Sequence, residues 1–80
     1  MSFDTHKFKE DMQQTLRVAG LRLRSLRLLR REAVDDVAFR LDISAQLLER
    51  IEKGLYDMEV TLFVRICTYY GVAPSRVIPS

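Results

Sequence analysis

The chain has 80 residues, of which 48% are hydrophobic and 30% charged, a globular rather than a disordered composition. Three Gly and two Pro are too few for a turn-rich β fold. The single Cys67 excludes an internal disulfide and a cysteine-based zinc site, and no apolar run approaches the roughly 20 residues that a membrane span requires. The net charge of +2 hides an asymmetry: residues 1–31 hold eight basic and three acidic side chains, residues 32–80 five and eight. A basic half of this kind points to a polyanionic partner. The first residues show no apolar run behind basic ones, so no secretory signal is expected and a soluble, cytoplasmic protein is.

In chain order, the first expected element is long, from about Thr5 to Arg31, and free of proline. Phe8, Met12, Leu16, Ala19, Leu23 and Leu26 recur three or four apart and paint one stripe on a helix. Gly20 interrupts the good helix formers, leaving either one bent helix or two. Val34, Val37, Ala38 and Leu41 predict a second helix that ends at Leu41-Asp42. Ser44 is a suitable N-cap for a third, Ala45 to Lys53, with Leu48 and Ile51 inward and Gly54 as its stop. After a loop, Leu55 to Met58, a fourth helix is predicted from about Glu59 to Tyr70. Its apolar positions are Val60, Phe63, Val64, Ile66, Cys67 and Tyr70. Gly71 ends it, and Pro74 suits the first turn of a short last helix.

Residues 37–54, VAFRLDISAQLLERIEKG, have the make-up of a helix-turn-helix. A small residue, Ala38, lets the second helix cross closely. Asp42 tolerates a left-handed backbone at the turn. Ile43 plugs the angle between the helices, Ser44 caps the second, and Leu48 and Ile51 anchor it.

With these positions the chain resembles the lambda-repressor-like (Cro/phage-repressor, XRE) helix-turn-helix family over residues 18–78. The likeness rests on Leu23-Arg24-Ser25-Leu26-Arg27, Val37-Ala38, Ile43-Ser44, Ile51-Glu52-Lys53-Gly54, and Tyr70-Gly71-Val72 followed by Val77. It implies an all-α, compact five-helix bundle, here preceded by an N-terminal helical extension over residues 1–17. It also implies a dimer on double-stranded DNA and an ion pair between Arg27 and Glu52. The third helix would read the major groove with Ala45, Gln46, Leu47, Glu49 and Arg50. Phosphates would be held by Arg40, Lys53 and the backbone around Gly54 to Tyr56. The function so implied is a sequence-specific transcriptional regulator.

Other residues depart from the family's pattern. Arg31-Glu32 stand where it has Gly-Leu, so a differently shaped turn is expected. Ala33-Val34 replace its polar cap and glutamine, and Asp35 and Asp36 follow. Residues 34–53 carry three basic and five acidic side chains, so positive charge must come from the first helix or a second subunit. Leu47, with Phe39, Leu55, Tyr56 and Met58, suggests an apolar patch and an alternative role as a protein-interaction module, anti-repressor or antitoxin-like. The stripe Phe8, Met12 and Leu16 requires a cover, either the fourth helix or a second copy of the chain. No motif for a cofactor, a metal or catalysis is present, and no enzyme or small-molecule substrate is expected.

Overall fold

A computed structural model describes residues 4–78, in which five helices are formed and no strand. They are α1 (Thr5–Leu29), α2 (Val34–Leu41), α3 (Ala45–Glu52), α4 (Val60–Tyr70) and α5 (Pro74–Val77). The chain is thus the all-α bundle that the apolar spacing predicts.

Helix α1 is single and continuous, about 37 Å long at 1.5 Å per residue. It starts on Asp4, whose side chain accepts from the Lys7 amide at 3.1 Å. It passes through Gly20 unbroken, because Gly20 is a contact and not a hinge. A β-carbon built there would collide with the Ile51 carbonyl oxygen of α3. Ala19 beside it is fully buried. The missing side chain at Gly20 therefore lets the backbones of α1 and α3 touch.

Four of the five helices end in the same way. The chain turns left-handed at Arg31 (φ 56°), Asp42 (φ 59°), Gly54 (φ 72°) and Gly71 (φ 70°). The next amide then reaches back five residues: Glu32 to Arg27 O at 3.2 Å, Ile43 to Ala38 O at 3.0 Å, Leu55 to Arg50 O at 2.9 Å, Val72 to Cys67 O at 3.0 Å. This closure satisfies carbonyls that the helix itself leaves open. Two of the four positions are glycine, for which the conformation is free of steric cost. Asp42 tolerates it. Arg31 adopts it at a cost of about 1 kcal/mol, and so keeps the turn geometry that a glycine would give.

The core is one cluster. Leu16, Ala19 and Leu23 of α1 meet Val37, Ala38 and Leu41 of α2, Leu48 and Ile51 of α3, Phe63, Ile66, Cys67 and Tyr70 of α4, and Val77 of α5, with Met58 from the loop. Burial pushes the Cys67 thiol above its ordinary pKa, as expected of an apolar site. The stripe on α1 is not buried to its end, since Phe8 is 52% and Met12 37% exposed. Nor do all of the apolar positions of α4 point inward: Val60 and Val64 are exposed. Among the described residues no helix is long and apolar enough to cross a membrane.

Candidate nucleic-acid interface

The turn between α2 and α3 is built from local chemistry. Leu41 is buried, Asp42 reverses the chain, and Ile43 folds half-buried against the core. Ser44 then caps α3, its Oγ accepting from the Leu47 amide at 3.0 Å, a contact worth about 1 kcal/mol. Arg65 of α4 adds what the sequence pattern did not show. Its guanidinium donates to the Leu41 carbonyl, setting a positive charge at the C-terminal end of α2 where the helix dipole favours it.

Helix α3 turns Leu48, Ile51 and Glu52 into the protein and leaves Gln46, Glu49, Arg50 and Lys53 exposed. Those four positions are spaced three, one and three apart and lie along one outer face. Ala45 and Leu47 are half-buried and pack against the core. The apolar patch expected around Leu47 does not form as a unit. Met58 is buried and Tyr56 half-buried, which leaves Phe39 (86% exposed) and Leu55 as its exposed members.

The back of α3 is locked to α1 through Arg27 and Glu52. Arg27 Nε donates to both carboxylate oxygens, at 3.1 and 2.9 Å, and one terminal nitrogen donates to Oε1 at 2.9 Å. The other terminal nitrogen donates to the Glu32 carbonyl at 2.9 Å. Glu52 is 3% exposed, and this bonding raises the Arg27 pKa further above its ordinary value. One guanidinium thus holds α1, the α1–α2 turn and α3 at fixed angles.

Half of the eight basic residues in the first 31, Arg27 among them, prove to be braces. Arg17 pairs with Asp57 at 2.5 Å, Arg22 donates to the Val77 carbonyl at 3.5 Å, and Arg30 donates to Glu32 at 3.0 Å and to the Tyr70 carbonyl at 3.2 Å. Part of the charge asymmetry along the chain is therefore taken up inside the fold. Near α2 and α3, the cations with no hydrogen bond or ion pair to a described residue are Arg24, Arg31, Arg40, Arg50 and Lys53.

These free cations fall into separate places. Arg24 and Lys53 share a groove with Val34, Glu49 and the Arg27–Glu52 pair. Arg40 and Arg31 share a different cleft with Arg30, Glu32, Asp36 and Tyr69. The start of α2 lies between, giving Val34 to one and Ala33 and Asp36 to the other. The four phosphate candidates from the sequence are therefore not one cluster. Lys53 and Arg40 flank the start of α2 on two sides, and Tyr56 lines a third depression with Ile43, Leu62 and Arg65. The Gly54 amide is already engaged, donating to Ile51 O at 3.0 Å within the helix closure. Arg24 and Arg31 were not among the phosphate candidates that the sequence offered. Arg31 stands where the resembled family has glycine, and that was the one signal available.

In the comparisons with known proteins, a family model described as a helix-turn-helix domain matches residues 18–77. No curated protein and no solved structure matches the chain.

Proposed function

Because the chain belongs to the helix-turn-helix domain family, we propose that it is a sequence-specific DNA-binding transcriptional regulator whose α3 reads the major groove. One observation carries the reading: α3 is fixed to the body by Glu52, Leu48 and Ile51 while a whole face, Gln46, Glu49, Arg50 and Lys53, stays uncovered by its own chain. On this reading Gln46 pairs with an adenine edge, Arg50 reaches a guanine, and the half-buried Ala45 and Leu47 meet thymine methyl groups at the N-terminal end of the helix. Glu49 accepts from a cytosine amine. Lys53 and Arg40 hold phosphates on either side of the start of α2. The protein acts in the cytoplasm.

Two copies acting together fit the same reading. Phe8, Met12, Leu16, Met58 and Val60 line an apolar groove between the N-terminal turns of α1 and the start of α4. Its lining includes Lys9 of α1 and Glu59 at the start of α4, so a second copy whose two-fold axis runs along the groove sets Lys9 of each chain toward Glu59 of the other. A dimer of this kind sets two α3 helices on successive turns of one duplex face.

Selection of bound sequences from a random duplex library tests both parts. The expected outcome is a partly palindromic consensus with half-sites about 10 base pairs apart, bound less tightly as salt rises. Arg50→Ala should relax the preference at one base of each half-site, whereas Lys53→Ala should weaken all sequences alike. No enrichment over the starting library at low salt would refute the reading.

A further inference from the structure

The cleft at the α1–α2 turn has a composition that the bracing of the fold does not account for. Arg30 and Glu32 form one wall, and both are held. Arg30 bonds Glu32 and the Tyr70 carbonyl and lies over the Tyr69 and Tyr70 rings, 5.8 and 5.5 Å from their centres. Glu32 also accepts from the Tyr69 hydroxyl at 2.6 Å. Its charge is thus answered within the wall. What remains is Arg31 and Arg40 facing the single carboxylate of Asp36.

Neither of these two guanidinium groups has a partner among the described residues, although both line the cleft. The Tyr69–Glu32 hydrogen bond lowers the Glu32 pKa and raises that of Tyr69; the charge of Arg40 reaches both groups, adding to the first effect and opposing the second, which agrees with a guanidinium lying over the cleft. Arg31 keeps its side chain at a left-handed position where glycine would be favoured. The same cleft takes in Ala33, the residue that opens α2 and offers no side-chain acceptor to its first-turn amides. Two forked cations approaching from separate elements suit a tetrahedral oxyanion, which has oxygens enough for both, better than a carboxylate, which one fork satisfies.

We propose that this cleft is a phosphate-binding site gripped by Arg31 and Arg40, and that its occupant is a backbone phosphodiester of the bound DNA. The second half rests on the DNA-binding reading. The first half stands without it. The site lies on the side of α2 away from Lys53 and Arg24, so the start of α2 is held by phosphate contacts from both sides. That arrangement supplies charge which the acidic helices themselves lack.

Two measurements on the full chain separate the halves. Inorganic phosphate is titrated into protein labelled with nitrogen-15 while the arginine Nε–H signals are followed. The Arg31 and Arg40 signals are expected to shift together and saturate, and those of Arg22 and Arg76 to stay behind. Equal, unsaturated drift of all four would overturn the site. In the second measurement, Arg31→Gly is compared with the parent for duplex binding across salt concentrations. The glycine suits the backbone there, so helicity and Tm are expected to hold. Affinity is expected to fall about fivefold for every sequence, with the salt slope reduced by about 0.9, the loss of one phosphate contact. A saturating phosphate response with unchanged DNA affinity in Arg31→Gly would overturn the phosphodiester and leave a site for a free phosphorylated ligand. If the parent bound no duplex at all, the DNA-binding reading would fall while the phosphate titration still decided the cleft.

Discussion

The Ile51 carbonyl oxygen occupies the space that a β-carbon on residue 20 would need. Gly20 and Ile51 thus define the closest approach of α1 to α3, and with it the height at which the outer face of α3 stands above the body. Ala is a better helix former than Gly by about 1 kcal/mol. Gly20→Ala should nonetheless destabilise the protein, by about 2 kcal/mol, because the clash is with backbone that cannot rotate away. Urea denaturation checks the sign. A more stable Gly20→Ala protein would mean that the two helices part at little cost.

The Arg27–Glu52 pair predicts a strongly non-additive response. Arg27→Met leaves the Glu52 carboxylate 3% exposed and without its donors, a loss of about 3–5 kcal/mol. A domain of this size has little more stability than that to lose, so partial unfolding at room temperature is expected. Arg27→Met combined with Glu52→Met replaces both charges by apolar groups of similar length and should recover most of the loss. A double-mutant cycle measured by chemical denaturation gives the coupling. A value near zero would show that the bidentate geometry contributes nothing to stability.

How much of this was legible in the sequence depends on how local each cause is. Asp42, Ser44, Gly54 and Gly71 act on their own backbone or on an amide three residues away, and the sequence pattern located all four. Gly20 was read as a weak point in a helix. The reason for a glycine there is a carbonyl 31 residues further on, and no periodicity reports it. The stripe of α1 runs on through Phe8 and Met12 at perfect spacing, yet spacing says which face a residue is on and not whether anything covers that face. The basic residues of the first 31 were counted as a field for a partner, whereas four of the eight, Arg17, Arg22, Arg27 and Arg30, are bonded within the chain. For the candidate site, the outer face of α3 follows from its i, i+3, i+4 pattern. The division of the free cations between two sides of α2 does not, because it depends on how α1 and α4 pack around that helix.

The Tyr69–Glu32 hydrogen bond makes stability depend on pH at both extremes. The bond to Tyr69 holds the Glu32 carboxyl below its ordinary value, and the same bond raises the Tyr69 hydroxyl above its own. A lowered carboxyl contributes stability above its ordinary pKa of 4.5, and loses it as pH falls through the lowered value. A raised phenol contributes below its ordinary pKa of 10.0, and loses it as pH rises through the raised value. Tyr69→Phe should therefore lower Tm by a constant amount between about pH 5 and pH 9. The gap to the parent should close below pH 4.5. A gap that persisted unchanged into strong acid would show that Tyr69 acts through packing of its ring, not through its hydroxyl.

Asp42 and Arg65 act on the same corner from opposite sides, one by backbone conformation and the other by charge. Asp42 holds φ 59°. Asp42→Gly should leave stability within a few tenths of a kcal/mol, and Asp42→Val should lower it by about 1–2 kcal/mol, because a β-branched residue fits the left-handed region poorly. Arg65→Met removes the guanidinium donor to the Leu41 carbonyl while keeping the length of the side chain, and should cost about 1–2 kcal/mol as a lost charged hydrogen bond. The two effects meet at adjacent residues, so their sum in Asp42→Val with Arg65→Met should depart from additivity. The decisive readout is DNA affinity measured at a temperature where every variant is folded. If the corner sets the direction of α3, Asp42→Val loses preference among sequences more than it loses affinity for random duplex, whereas Asp42→Gly keeps both. Equal loss on all duplexes would separate the corner from the reading of bases and leave it a purely structural turn.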